Sequence, residues 1–263
     1  MSEQKKGSFL VDTFVFTKRS IITIIRNPLI FIPNLIISLF FLFVYEGGLS
    51  GISELPAFEG ANYLAFILPV SIVSAAIGGA GGAGQALVKD LENGYFSRLL
   101  LTPSSRLAIV LGPIIAGMLQ LLIQTVLILV VAYFLGLEVA AGFGGVIVVL
   151  LLTLGWGLAF AGYSVGVALR TKNAQSAQAG TFVFFPLIFL STTFVPYELI
   201  EAGWLKVAAT INPTTYLFEA MRSVFIDGWE AWPLVRGFLV IALLCAITIS
   251  FSAISASKAV SAD

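Results

Sequence analysis

The chain has 263 residues, 59% of them hydrophobic and only 11% charged, less than half the charged share of about 25% in an ordinary soluble domain. Fourteen Lys and Arg balance fourteen Asp and Glu, so no basic surplus points to nucleic acid and no acidic run to a solvated arm. The absence of His excludes His-based triads, His-containing metal sites and imidazole acid–base chemistry, and the single Cys245 can form no internal disulfide.

The N-terminal region is no cleavable signal, because Asp12, Lys18 and Arg19 interrupt any apolar core. On a helical wheel Asp12, Thr13, Arg19, Ser20, Thr23 and Arg26 share one half, and Leu10, Val11, Phe14, Val15, Ile21, Ile22 and Ile25 the other. This predicts an amphipathic interfacial helix over 9–26, ended by Asn27-Pro28. An ionised side chain in hydrocarbon is costly, so the charges divide the rest. Six charge-free stretches result, at 27–45, 60–88, 107–137, 139–169, 173–197 and 237–257. A membrane crossing takes about 20 apolar residues. The stretches therefore predict spans near 28–45, 61–87, 105–135, 143–169, 174–195 and 234–257.

Near the end of the second span, Gly78-Gly79-Ala80-Gly81-Gly82-Ala83-Gly84 lacks the Gly-Lys-Ser/Thr ending of a phosphate loop and lies in an apolar run. It predicts close helix packing and a local weakness suited to a hinge. Residues 89–101 alternate charges with Leu and Phe, more than a plain connection needs. Asn93-Gly94 signals a turn or helix end, and Thr102-Pro103 an N-cap with Pro at the first position of the third span. The remainder predicts a short helix with an apolar face and charged edges, a shape for docking in a groove; a solvated loop is the plainer alternative. Gln120 and Gln124, one turn apart in the third span, serve either interhelical hydrogen bonding or substrate contact. Gly155, Gly157, Ala159, Gly162, Ser164 and Gly166 give the fourth span a small-residue surface for packing. In the fifth, Phe182, Phe184, Phe185, Phe189 and Phe194 crowd around Pro186. They read as lipid-facing or core residues, or as an aromatic path for an amphipathic molecule.

The apolar stretch 207–218 is too short to cross and contains Asn212-Pro213, which predicts a re-entrant or interfacial segment within 196–232. Trp204, Tyr216, Trp229 and Trp232 there are residue types that settle at an interface. With the N-terminus inside and six alternating spans, eleven of the fourteen cations fall on the cytoplasmic side and only Lys206, Arg222 and Arg236 outside. The positive-inside rule then places both termini in the cytoplasm.

The order amphipathic helix, Arg26-Asn27-Pro28, two spans, Glu92-x-Gly94, Arg98-Leu99-Leu100 and Thr102-Pro103 resembles the permease subunits of type-2 ABC exporters. That family includes daunorubicin-type drug exporters and, more distantly here, polysaccharide exporters. Phe194-Val195-Pro196, Ile211-Asn212-Pro213-Thr214-Thr215-Tyr216 and Glu219-Ala220-Met221-Arg222 look like its extracellular re-entrant hairpin. The resemblance covers essentially the whole chain. It implies an all-α permease whose segment 89–101 is a coupling helix meeting an ATPase subunit through Asp90, Glu92, Gly94, Arg98, Leu99, Leu100, Thr102 and Pro103. It further implies a substrate pathway, with Gln120, Gln124, Phe182, Phe185 and Phe189 as candidates. The partners implied are a second permease copy, two ATPase subunits that bind the ATP and Mg, and the lipids of an inner (plasma) membrane. No Walker A pattern exists here, so the energy is expected from another chain, and the resemblance implies a transport subunit without its own ATPase site, cofactor or metal. The implied function is ATP-driven export of a hydrophobic or amphipathic drug-like compound or lipid, with a lipid-linked glycan or polysaccharide as the alternative cargo. An intramembrane enzyme lacks its residues here, and a secondary transporter usually places ionisable groups within its spans.

Overall fold

Hydrocarbon offers the backbone no hydrogen-bond partner, so long apolar stretches satisfy their amides internally, as helices. The computed structural model describes residues 8–49, 63–100, 102 and 104–261. Within these the chain forms α1 (Phe9–Arg26), α2 (Pro28–Leu49), α3 (Tyr63–Gly78), α4 (Gly82–Glu92), α5 (Tyr95–Leu100), α6 (Arg106–Phe134) and α7 (Gly142–Thr171). There follow α8 (Ala174–Phe182), α9 (Phe184–Phe189), a 3₁₀ turn at Tyr197–Leu199, α10 (Gly203–Ile211), α11 (Pro213–Arg222), a π-helical turn at Ser223–Asp227 and α12 (Ala231–Ser261). No strand occurs among the described residues.

Five helical segments among the described residues are long and apolar enough to cross a membrane: Phe31–Gly48, Tyr63–Glu92, Leu107–Phe134, Gly142–Thr171 and Ala231–Ser257. The stretch 174–195, expected as one span, is built differently. It forms two short helices, α8 and α9, followed by irregular backbone from Ser191. Pro186 explains the break, because it has no N–H to return to the carbonyl of Phe182, where α8 ends.

The hub of the bundle is α3, whose residues from Tyr63 to Val73 are all buried. It packs against α2, α6, α7 and α11. By contrast α2 and α12 keep broad apolar faces exposed, including Phe40, Phe43, Leu239 and Leu243, as lipid contact permits. Small residues let the backbones approach. On α7, Gly155 faces Ile241 of α12, Gly162 faces Thr248, and Gly166 faces the ring of Phe251. The facing numbers rise together, so α7 and α12 run parallel. The start of α7 is also held to the chain before α12: Ala140 and Ala141 donate to the carbonyls of Phe225 and Val224. The chain between α7 and α12 therefore travels back along the length of the bundle.

The glycine run expected to pack closely does so, and it also interrupts the helix. Between α3 and α4 the N–H of Gly81 reaches back five residues to Ala76, and Gly82 and Ala83 reach back only three. A Cβ at Gly78 would collide with Asn34 of α2, one at Gly79 with Gln124 of α6, and one at Gly84 with Ser164 of α7. The Ser164 hydroxyl stitches the interruption. It accepts from the Gly84 N–H at 3.2 Å and donates to the Gly81 carbonyl at 2.5 Å.

Candidate functional site

At the end of the bundle that carries α1, the chain turns sharply between α4 and α5. Asn93 caps α4 and Gly94 takes φ +66°, the left-handed conformation that glycine accepts without penalty. The segment 89–101, expected as one helix, is thus an elbow, with residues 89–92 in the last turn of α4 and α5 beyond. Glu92 and Arg98 are exposed on it, whereas Leu99 is partly buried against the core. Leu100 closes α5, and Thr102 folds back on the Leu99 carbonyl through both its N–H (3.0 Å) and its hydroxyl (2.6 Å). Thr102 therefore ends α5 and does not cap α6. The N-cap position of α6 belongs to Ser105, because Asp12 of α1 accepts the Ser105 N–H at 3.1 Å and fixes the start of the helix there. Pro103 lies outside the described residues.

Asp90 turns inward. It receives a bidentate pair from Arg19 of α1, at 2.7 and 2.6 Å, and the guanidinium also stacks 3.8 Å from the centre of the Tyr95 ring. The Asp90 hydrogen bonds raise the Arg19 pKa above its ordinary value, outweighing the opposing effect of burial. Together with the Asp12 contact, this clamps α1 to the elbow and to the start of α6. Arg19 was legible only as one member of a polar face; its partner lies 71 positions away.

Inside the bundle, Gln120 and Gln124 are both buried. Both polar atoms of the Gln124 amide and the Gln120 amide nitrogen have no hydrogen-bond partner among the described residues. The Gln124 oxygen lies against Gly79, at the interruption between α3 and α4. Among the described residues interhelical hydrogen bonding thus does not account for Gln124. Phe182, Phe185 and Phe189 stay at the surface of the chain, at 53%, 36% and 37% exposure. Phe185 meets Phe189 edge-on, and Phe189, Phe194 and Tyr45 continue the ring contacts to α2. Phe184 is different, packing on Phe160 and Tyr163 of α7.

The far end holds the most tightly satisfied polar assembly. The last carbonyls of α9 and the irregular residues after it need donors that hydrocarbon cannot supply. Asn212 donates to Leu187 and Leu190 at 2.5 and 2.8 Å, and its oxygen caps α11 by accepting the Thr214 N–H at 3.0 Å. Pro213 follows at the first helical position, where no N–H is needed. Arg222, on α11, is buried and donates through Nε to Phe66 of α3 at 2.9 Å. Its two terminal nitrogens donate to Thr192 and Thr193 at 2.6 and 3.1 Å, and its guanidinium lies 3.5 Å from the Phe66 ring centre. One side chain thus ties three segments together. A cation flanked by Met221 and Ser223, within the largely apolar run from Ala220 to Ile226, is the sequence signal that marks it. The stretch 207–218 is shared between the exposed α10, with Trp204, Val207 and Ile211 on its surface, and the buried α11. Among the described residues no cluster of acids or Cys is arranged to hold a metal.

The chain is 27% identical over 239 residues to the putative transport permease ycf38 of Cyanophora paradoxa, covering 88% of this chain and 81% of that protein. It is 25% identical to the daunorubicin resistance ABC transporter permease protein DrrB1 of Streptomyces coeruleorubidus, covering 81% and 70% respectively. It is 23% identical to the probable multidrug ABC transporter permease YbhR of Escherichia coli K12, covering 66% and 49%. The family model for the ABC-2 type transporter matches residues 11–226, from α1 through the elbow and the Arg222 assembly to the π-helical turn, and the chain belongs to that family.

Proposed function

We propose that this chain is the membrane subunit of an ATP-driven exporter of hydrophobic or amphipathic compounds, working as two copies with two ATPase subunits that bind the ATP and Mg. The observation that carries the reading is the elbow: charged Glu92 and Arg98 stand exposed on it, while Asp90 and Leu99 anchor it to α1 and the core. A segment anchored on one side and charged on the other is built to pass a partner's movement into the bundle. Family membership, and relatives named for daunorubicin resistance and multidrug transport, support a drug-like cargo.

The parallel course of α7 and α12 supports a sixth crossing made by α8, α9 and the irregular backbone beyond them. The segment 196–232 then forms a re-entrant cap on the outer side, held by Arg222, and both termini lie in the cytoplasm, as the distribution of cations requires. Phe182, Phe185 and Phe189, exposed on a single chain, line the contact between two copies where cargo passes. Gln124, whose amide has no partner among the described residues, supplies a polar point facing the interruption between α3 and α4.

The test is purification with the ATPase subunit, reconstitution in vesicles, and a screen for compounds and lipids that change ATP turnover. Stimulation by amphipathic drug-like compounds, abolished by Gly94→Pro at normal abundance, is the expected result. Normal transport and stimulation in Gly94→Pro would refute the coupling role, and stimulation by glycolipids alone would refute the cargo assignment.

A further inference from the structure

The face of α1 that turns away from the bundle has a cation at its centre. The helix rests on α6 through Phe16 and Thr17, which close over Gly112. On the opposite side Val11, Phe14, Val15, Ile22 and Ile25, spaced three or four apart around position 18, fall on one stripe. All five are exposed, from 38% at Ile22 to 72% at Ile25, and Lys18 is exposed in their midst. Arg26 is exposed at the end of the helix.

The other charges of α1 are already engaged. Arg19 is paired with Asp90, and Asp12 accepts the Ser105 N–H. Lys18 and Arg26 have no ion-pair partner among the described residues. The outward face therefore combines a broad apolar stripe with two uncompensated positive charges and no acid.

We infer that this face binds anionic phospholipid headgroups, with Lys18 and Arg26 as the cations that select them. A lysine at the middle of a protein-docking stripe would be buried and would need an acid. At a membrane surface its stem lies along the apolar stripe while the ammonium reaches a phosphate. Apolar burial alone does not distinguish lipid headgroups; the two cations do. Each is worth about a fivefold preference for an anionic surface at moderate salt.

The inference rests on the membrane reading of the chain, but its test needs neither ATP nor cargo, so it can fail or hold independently of transport. A single cysteine replacing Thr23, in a Cys245→Ala background of the full chain, carries a fluorophore on α1. The protein is reconstituted in vesicles of phosphatidylcholine and phosphatidylglycerol, with a trace of quencher attached to one lipid or the other. Quenching by the phosphatidylglycerol probe should exceed that by the phosphatidylcholine probe severalfold and fall at high salt. Lys18→Gln with Arg26→Gln should remove the excess and leave phosphatidylcholine quenching unchanged, whereas Lys18→Arg with Arg26→Lys should retain it. Equal quenching by the two lipids in the parent chain would overturn the inference, as would full selectivity in the Gln variant. Lipid selectivity intact with loss of the co-purifying ATPase subunit would also overturn it, assigning the face to a protein partner.

Discussion

Removing the Arg222 guanidinium should loosen α11 from α3 and from the irregular backbone after α9. The side chain makes three charge-assisted hydrogen bonds, at 2.9, 2.6 and 3.1 Å, to carbonyls on α3 and on the irregular backbone after α9. Bonds of this type contribute roughly 1.5 to 3 kcal/mol each. Their sum overstates the loss, because burying the charge costs part of the gain. Deletion nevertheless leaves those carbonyls short of donors in a place without water, and the net destabilisation of Arg222→Ala should be about 3 to 5 kcal/mol. Arg222→Lys keeps the charge, but its donors diverge from one nitrogen and cannot span a fork that reaches Phe66, Thr192 and Thr193. It also gives up the planar stack on the Phe66 ring. Lysine should restore less than half of the loss. The assay is thermal unfolding of the purified chain in detergent, where Arg222→Ala should lower the midpoint by on the order of 10 °C. A midpoint within about 2 °C of the parent would show that the three bonds do not hold these segments together.

Gly94→Ala forces a side chain into the left-handed region and should cost about 1 kcal/mol, and Gly94→Pro, whose ring fixes φ near −65°, should abolish transport and drug-stimulated ATP hydrolysis together without preventing insertion. A double-mutant cycle on Arg19→Ala and Asp90→Ala, read by thermal unfolding, should give an interaction of about 1 kcal/mol or less, shrinking in high salt because the pair is partly exposed; a value of zero would remove the clamp. Gly79→Ala should overpack against Gln124 and cost about 1 to 3 kcal/mol, with Gln124→Ala in the same chain relieving it. Gln124→Leu alone should leave stability unchanged or improved, since the amide has no partner to lose among the described residues. Marked destabilisation by Gln124→Leu would reveal a partner for the amide.

Much of the architecture follows from local chemistry. The longest charge-free stretches form helices, because in hydrocarbon their backbones have nowhere else to bond. Asn93-Gly94 could end α4, and Asn212-Pro213 could begin α11, from their own conformational preferences. Other features depend on neighbours that one stretch of sequence does not contain. The start of α6 moved from Thr102-Pro103 to Ser105 because Asp12, 93 positions earlier, accepts its amide. The run 174–195 broke into α8, α9 and irregular backbone, which a charge count cannot foresee. Pro186 opens the break, and Asn212 and Arg222 make the exposed carbonyls tolerable. Arg19 read as part of the polar face of an interfacial helix and Asp90 as a contact to an ATPase subunit, and the fold set the two face to face. Which stretches are long and apolar enough to form spanning helices is decided by local composition, so the sequence alone determined it. Where charged and amide side chains find partners depends on which helices become neighbours, and only the tertiary structure decided that.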